Sequence, residues 1–140
     1  MYATLMLAMT LGAPALKDPP KKELNIEGEW VVESQVTNGR QVKSTIERRY
    51  TFNKDGKWTL NTKGKIIGGE RTYAIDATKK PAAIDMKYSS ATTYTGIVKV
   101  EGDTLTLCYS RNSDDRPKAF ESPENSNIIL IVMKRAKPKD

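Results

Sequence analysis

The chain has 140 residues, of which 38% are apolar and 29% are charged, and it contains one cysteine and no histidine. This length is sufficient for a single domain that buries a real hydrophobic core. The composition excludes a catalytic imidazole, a Cys–His nucleophile pair, a Cys/His zinc site and an internal disulfide.

The net charge of +6, from 23 basic and 17 acidic residues, raises the question of a nucleic-acid partner. Most of the excess lies in segments 17–23 and 134–140, whereas residues 24–133 hold 16 basic and 14 acidic side chains. A nucleic-acid surface needs a basic face that follows the phosphates, usually with aromatic side chains beside it. We therefore expect no nucleic-acid partner and interpret the basic ends as solvated tails.

The N-terminal segment has no charged side chain before Lys17, and it contains Ala13-Pro14-Ala15. An apolar run followed by small residues is typical of a secretory signal, and this run is shorter than the ~20 residues that span a bilayer. We therefore predict a signal peptide over 1–15, a flexible basic leader over 16–25 and an exported protein that is not transmembrane. Because no Lys or Arg follows Met1, the alternative is an N-terminal helix packed on the domain.

From residue 26 onward the apolar side chains alternate with the period of β-strands. Asn53-Lys54-Asp55-Gly56 has the composition of a hairpin turn, because Asp-Gly supplies the positive φ that such turns need. About eight short strands at regular spacing predict an antiparallel barrel, and a sandwich with open edges is the alternative. The predicted strands include Glu29–Val36, Arg48–Phe52, Trp58–Leu60, Arg71–Ile75, Ile84–Tyr88, Tyr94–Val100, Leu105–Tyr109 and Ile128–Lys134.

Two segments interrupt the strands. Residues 38–46 are predicted to hold one short helical turn after the first strand, since 41–47 contains neither Gly nor Pro. Residues 111–127 form a polar connection of the length that binding loops have. We hypothesise that Arg116 and Phe120 form an interaction surface in this loop, and the alternative is that Phe120 only fastens the loop to the barrel.

Gly28 and Trp30 open the first predicted strand, and Arg135 ends the last one. In an up-and-down barrel these strands lie side by side, so the guanidinium can cover the indole face and close one end. Gly28 would let the backbone approach closely. This arrangement resembles the lipocalin-like (calycin) barrels, which share a Gly-x-Trp in the first strand and an Arg from the last. The resemblance implies a lipocalin-like barrel over 26–135, followed by a basic tail at 136–140.

A closer resemblance covers most of residues 26–135. The chain is similar to a family of small exported domains of unknown function, abundant in planctomycetes, to which a lipocalin-like fold is assigned. Lys80, inserted before Pro81, departs from the family pattern. The resemblance implies the fold and export but no activity. The motifs that carry it are Gly28-x-Trp30, Asn38-Gly39, Lys79-Lys80-Pro81-Ala82-Ala83-Ile84-Asp85, Gly96-Ile97, Gly102-Asp103-Thr104-Leu105-Thr106-Leu107-Cys108, Arg116-Pro117-Lys118-Ala119-Phe120 and Lys134-Arg135.

Catalytic motifs are absent from the sequence. It contains no Gly-x-Ser-x-Gly, glycine-rich phosphate loop or Ser-x-x-Lys, and the turn at 53–56 lacks the ligands of a calcium loop. No cationic residue stands at an activating position beside Cys108, which we interpret as a small packing residue. We therefore predict a protein that is not an enzyme and needs no metal or cofactor.

The interior of the predicted barrel is the remaining candidate site. The inward set of alternating residues comprises Trp30, Val32, Val36, Tyr50, Phe52, Trp58, Leu60, Tyr73, Ile75, Ile84, Met86, Leu105 and Leu107. Arg48 and Arg71 share this parity, and an inward charge needs an anionic partner such as a ligand carboxylate. The alternatives are a position at the rim, or a salt bridge to Glu33 or Glu70.

Two functional hypotheses follow for an expected monomer. In the first, the barrel binds a small apolar or amphipathic ligand, although the number of inward aromatic rings indicates a well-filled lumen. In the second, the protein is an interaction or inhibitor module that acts through the barrel rim and the 111–127 loop, without a small ligand. The residues predicted to line the ligand site are Arg48, Tyr50, Trp58, Arg71, Tyr73 and Tyr88.

Overall fold

The computed structural model describes residues 24–111 and 115–137. The predicted signal peptide and nearly all of the predicted leader lie outside the described residues. The described part contains nine β-strands and no helix. The strands are β1 (Gly28–Thr37), β2 (Arg40–Gln41), β3 (Arg48–Phe52), β4 (Lys57–Thr62), β5 (Lys65–Asp76), β6 (Ala82–Lys87), β7 (Thr93–Glu101), β8 (Thr104–Ser110) and β9 (Ile128–Arg135).

Eight of the strands close into an antiparallel barrel. Each strand from β3 to β9 pairs with its neighbour in the chain, β1 pairs with β3, and β9 returns to pair with β1. The short β2 adds to β1 as an extra strand. The closed eight-stranded barrel predicted from the strand spacing is therefore confirmed. Within the described ranges, no helix has the length and apolar character needed to cross a membrane.

The two ends of the barrel are distinguished here as upper and lower. At the upper end β1 finishes and β3 begins, so the connections 38–47, 63–64, 88–92 and the described part of 111–127 lie there. At the lower end β1 begins and β9 finishes, together with the connections 53–56, 77–81 and 102–103. This up-and-down order places residues that are far apart in sequence around the same opening.

The segment after β1 contains no helical turn, which corrects the prediction for residues 38–46. Asn38 and Gly39 both have positive φ, of 52° and 78°, and they fold the chain back onto β1. The Val42 N–H then donates to the Gln35 carbonyl at 2.8 Å. A tight Asn-Gly turn favours a hairpin, and here it overrides the helix-compatible composition of the residues that follow.

A β-bulge in β1 changes which side chains face the interior. Val32 pairs with Met133, but Ser34 pairs with the adjacent Val132, so Glu33 is an extra residue in β1. Beyond the bulge Gln35 lies opposite the fully buried Ile131. The prediction that Val36 points inward is therefore wrong, because one inserted residue exchanges the two faces of a strand.

The lower end is closed by Trp30 and Arg135. The Arg135 Cζ lies 4.2 Å from the centroid of the Trp30 ring, and its Nη1 donates to the Glu27 carbonyl at 3.2 Å. The indole N–H of Trp30 donates to the Ile26 carbonyl at 2.9 Å. A β-carbon at Gly28 would come within 3.0 Å of the Arg135 Nη1, so glycine leaves room for the guanidinium.

Large side chains fill the interior above this closure. The buried cluster comprises Ile26, Trp30, Tyr50, Phe52, Trp58, Ile84, Met86, Val98, Leu105, Leu107, Tyr109, Ile129, Ile131 and Met133. Close packing of this kind leaves little room for a ligand in the centre of the barrel.

Candidate functional site

The six residues predicted to line the ligand site separate into two groups. Tyr73 lies toward the lower end, where its hydroxyl donates to the Asn53 carbonyl at 2.8 Å and its ring packs edge-on against Phe52. The other five are inward or upper-end residues that form one neighbourhood. They are Arg48, Tyr50, Trp58, Arg71 and Tyr88.

An opening in the barrel wall lies beside this neighbourhood. Strands β5 and β6 pair only from Tyr73 opposite Met86 to Asp76 opposite Ala83. Toward the upper end the two strands separate and leave a depression of about 350 Å³ between residues 68–72 and 87–90. We call this depression the side opening. Arg71 and Tyr88 line it, together with polar side chains that include Glu70, whose carboxylate pairs with Lys57 at 3.5 Å and not with Arg71.

A β-bulge of three residues in β5 places Arg71 at the side opening. Trp58 pairs with Arg71 and Leu60 pairs with Ile67, so three residues of β5 lie opposite the single Thr59. Two of the three are Gly68 and Gly69, with φ of 76° and 78°. The Arg71 guanidinium lies directly against Gly68, where a β-carbon would collide with Nη2. Glycine at 68 is therefore a condition for the observed position of Arg71.

Two aromatic rings hold the Arg71 guanidinium. Its Cζ lies 4.3 Å from the centroid of Tyr88 and 5.1 Å from that of Trp58. Nη1 is buried and has no hydrogen-bond acceptor among the described residues. A buried cationic donor without an acceptor is costly, and contact with ring faces offsets only part of that cost. The geometry is therefore suited to an acceptor supplied by a bound molecule.

A row of tyrosines continues from the side opening into the barrel. Tyr88 stacks on Tyr94 with centroids 4.9 Å apart, and Tyr94 stacks on Tyr109 at 5.0 Å. Tyr109 and Tyr50 are close enough for each to influence the pKa of the other. Burial raises the pKa of Tyr109 well above its ordinary value, and it raises the pKa of Tyr50 and Tyr94 as well. These phenols are therefore neutral at physiological pH and provide an apolar wall with hydroxyl groups.

Arg48 stands at the other side of the same interior. Its Nη1 donates to the Gln35 Oε1 at 2.7 Å, which is possible because the β1 bulge turns Gln35 inward. Its positive charge opposes the effect of burial on the pKa of Tyr50. Arg48 thus has a neutral hydrogen-bond partner in the protein, whereas the guanidinium of Arg71 contacts aromatic rings and finds no acceptor for Nη1 among the described residues.

The described part of the 111–127 loop packs on the outer face of the barrel. The Arg116 Nη1 donates to the carbonyls of Ile84 and Gly96 at 3.0 and 2.7 Å, and Nη2 forms an ion pair with Asp85 at 2.7 Å. Phe120 is half-buried and lies 4.7 Å from the Lys99 ammonium. Both predicted interaction residues therefore contact the barrel itself, and their role toward a partner stays a prediction.

The same loop covers Cys108. Its Sγ lies 3.5 Å from the Ala119 carbonyl and 3.4 Å from the Glu121 carbonyl. Burial raises the pKa of this thiol, so the thiolate that would react or bind a metal is disfavoured. The described residues contain no cluster of three or more Cys, Asp, Glu or His side chains that could hold a metal ion.

Several residues of the site were not identified from the sequence. Tyr94 and Tyr109 were assigned to strands but not to the ligand site, and Gln35 was assigned to the outer face. Gly68-Gly69 carried a usable signal, because adjacent glycines inside a strand pattern indicate a bulge. The separation of β5 from β6 had no local signal, since it depends on where a long-range pairing stops.

Comparisons with family models, with curated proteins and with solved structures gave no match to this chain.

Proposed function

We propose that the protein is a lipocalin-like binding protein, and that its side opening takes a small amphipathic molecule with an anionic head group. The observation that carries this proposal is the buried Arg71 Nη1, which has no acceptor in the described structure. A carboxylate or similar oxygen would form a charge-assisted hydrogen bond there. Such a ligand supplies the anionic partner that an inward arginine requires.

The apolar part of the ligand would rest at the side opening rather than in the centre of the barrel. The centre is filled by side chains such as Trp30, Leu105 and Ile131, each 0% exposed. The side opening has a volume of about 350 Å³, which lies within the range of small-molecule sites. Tyr88, whose exposed fraction is 42%, offers an aromatic edge to an alkyl chain. We therefore expect a ligand with a short chain.

The proposal also includes the family of the protein and its cellular location. The closed barrel and the contact of Trp30 with Arg135 support a lipocalin-like assignment, which extends the resemblance found in the sequence. The predicted signal at 1–15 supports export. The proposal includes no catalysis, metal or cofactor, because binding alone accounts for the arrangement of Arg71, Trp58 and Tyr88.

The alternative function, protein interaction or inhibition through the rim and the 111–127 loop, rests on different residues. The Arg116 guanidinium already has three partners in the barrel, so a partner protein would have to compete with them for it. The unsatisfied Arg71 donor favours the ligand-binding proposal over this alternative.

Isothermal titration with decanoate and with 1-decanol tests the proposal, because the two molecules share a chain and differ in the charged group. We expect decanoate to bind about tenfold or more tightly than the alcohol, the effect of one charge-assisted hydrogen bond. Arg71→Gln should remove this difference. Arg49→Gln is the matched control, since Arg49 lies next to the outer-facing Glu29 and Glu47. Equal binding of acid and alcohol by the native protein would overturn the proposal.

Gly68→Ala provides a second variant that keeps the arginine. Because a β-carbon at 68 collides with the guanidinium, Arg71 must move and the preference for decanoate should fall as in Arg71→Gln. Native mass spectrometry of protein purified from its own host then tests for a retained natural ligand. A preference for decanoate that survives in Gly68→Ala would show that the observed position of Arg71 is not required.

A further inference from the structure

The exposed apolar side chains of the described structure gather at one end of the barrel. Five large apolar residues are exposed, and every one lies at or beside the upper-end connections. Ile66 and Ile67 are the most exposed, at 57% and 46%, and they follow the tip of the β4–β5 hairpin. The other three are Val42, Ile46 and Tyr88. Exposed apolar groups concentrated at one end indicate a contact surface.

Positive charge is concentrated at the same end. We define the upper rim as residues 38–47, 62–67 and 87–93. Its five basic side chains are all exposed, and its one acidic residue, Glu47, forms an ion pair with Arg49 at 2.8 Å. The basic residues are Arg40, Lys43, Lys63, Lys65 and Lys87. Outside these ranges, the exposed Glu124 of the 111–127 connection lies against Gly39.

The lower end is also basic but does not share the apolar exposure. Its connections 53–56, 77–81 and 102–103 carry three lysines against two aspartates, and the exposed Lys134, Arg135 and Lys137 lie where the chain leaves β9. None of the large exposed apolar residues lies in these connections. Apolar exposure and positive charge therefore coincide at the upper rim.

We infer that the upper rim docks onto an anionic lipid surface. Basic side chains are attracted to anionic head groups, while apolar side chains enter the boundary between head groups and acyl chains. The exposed apolar residues lie on three separate connections around an opening, and fluid lipid can fill the spaces between them. Four of the five are aliphatic, which disfavours nucleic acid, because single-stranded nucleic acid is bound by stacking on aromatic rings.

The β4–β5 hairpin would make the deepest contact. Lys63 and Gly64 form its turn, with φ of 54° and 78°, and Lys65 begins β5. Ile66 and Ile67 come next and, as neighbours in a strand, point to opposite faces of the hairpin. The hairpin therefore presents two cations at its tip and an isoleucine on each side.

This inference goes beyond the proposed ligand site and does not depend on it. The upper rim consists of exposed side chains at the upper end of the barrel, whereas the ligand site depends on the buried guanidinium of Arg71. Docking would bring the side opening close to a lipid surface, since residues 87–90 border both.

Co-sedimentation with vesicles tests the inference. We expect binding to vesicles of phosphatidylcholine mixed with phosphatidylglycerol, little binding to phosphatidylcholine alone, and a loss of binding as NaCl screens the charges. Lys63→Glu with Lys65→Glu should weaken binding by roughly tenfold or more. Ile66→Ser with Ile67→Ser should weaken it at unchanged charge. The matched control is Lys79→Glu with Lys80→Glu, the same charge reversal at the lower end, which should bind as the native protein does.

Three outcomes would overturn the inference. The first is an absence of binding to the anionic vesicles at low salt. The second is equal weakening by the lower-end control, which would show that only total charge matters. The third is tighter binding to single-stranded DNA or to an acidic polypeptide than to the vesicles, which would assign the rim to another partner. Circular dichroism of each variant verifies the fold, and decanoate titration on the same samples reports the Arg71 site separately.

Discussion

Trp30 contributes to stability through its packing and through two specific contacts. It is 0% exposed, its N–H donates to the Ile26 carbonyl, and Arg135 covers its ring. We predict that Trp30→Ala lowers the free energy of unfolding by ~3–5 kcal/mol, because a large buried ring is lost and a cavity remains. Urea denaturation measures this change. Arg135→Gln, which removes the cation–π contact and the hydrogen bond to the Glu27 carbonyl, should cost less, ~1–2 kcal/mol. A loss below ~1 kcal/mol for Trp30→Ala would contradict the structure.

Tyr109 makes the free energy of unfolding depend on pH in the alkaline range. Burial raises its pKa well above the ordinary value, so the folded state favours the neutral phenol. The stability that this preference provides is fully present below the pKa of an unfolded tyrosine, ~10, and is lost as the pH rises toward the folded-state pKa. We therefore predict that the free energy of unfolding decreases above pH ~10.

Urea denaturation of native protein and of Tyr109→Phe across this pH range measures the effect. The variant should lose less stability than the native protein as the pH rises, because it lacks the group with the strongly raised pKa. Its stability at neutral pH is the internal reference, since the substitution also removes a buried hydroxyl group near Tyr50. Parallel pH profiles for the two proteins would assign the alkaline loss to other groups.

The 115–121 segment acts as a cover for one side of the barrel. It supplies the Arg116 contacts to Ile84 and Gly96 and the two carbonyls that face Cys108. We predict that replacing residues 115–121 by a Gly/Ser linker destabilises the protein and makes Cys108 react faster with a disulfide reagent. Thiol titration with an aromatic disulfide reports the exposure directly.

Lys118→Ala is the control for this experiment, because it changes the charge of the loop and leaves Arg116 in place. It should keep Cys108 as slow to react as in the native protein. A linker variant that retains both its stability and a protected thiol would show that the loop is not a structural cover. The hypothesis that Arg116 and Phe120 bind a partner would then gain support.

The regular strands were predicted from the sequence, whereas the bulges and the turn after β1 were not. Alternation and turn composition predicted the strands, because both are local properties of the chain. The same alternation misplaced Val36, since the pattern cannot show the extra residue at Glu33. The helical turn failed because the Asn38-Gly39 hairpin overrides a merely permissive composition. The adjacent glycines Gly68-Gly69 are typical of a bulge, but the sequence prediction did not use this signal.

At the scale of the whole molecule, closure was predictable and charge distribution was not. The number of strands and the position of Arg135 favoured a ring closed by the first and last strands. The balance of 16 basic and 14 acidic residues over 24–133 indicates that most of the charge excess lies at the two ends of the chain. Only the up-and-down order of the strands shows that five exposed cations share the upper rim. The side opening likewise depends on where the β5–β6 pairing stops, which no local pattern encodes.

The closure of the lower end by Trp30 and Arg135 also determines where the described chain enters and leaves the barrel. Arg135 contacts the Glu27 carbonyl, and the Ala136 N–H donates to the Glu29 carbonyl at 2.9 Å. The first and last strands of the barrel, β1 and β9, are therefore paired by hydrogen bonds but are not joined by a chain connection. A short peptide joining residues 137 and 24 would supply this connection, and the Lys63-Gly64 turn offers a place to cut a circular permutant. A domain or label fused at residue 24 or at residue 137 would project from the lower end of the barrel and leave the upper rim unobstructed.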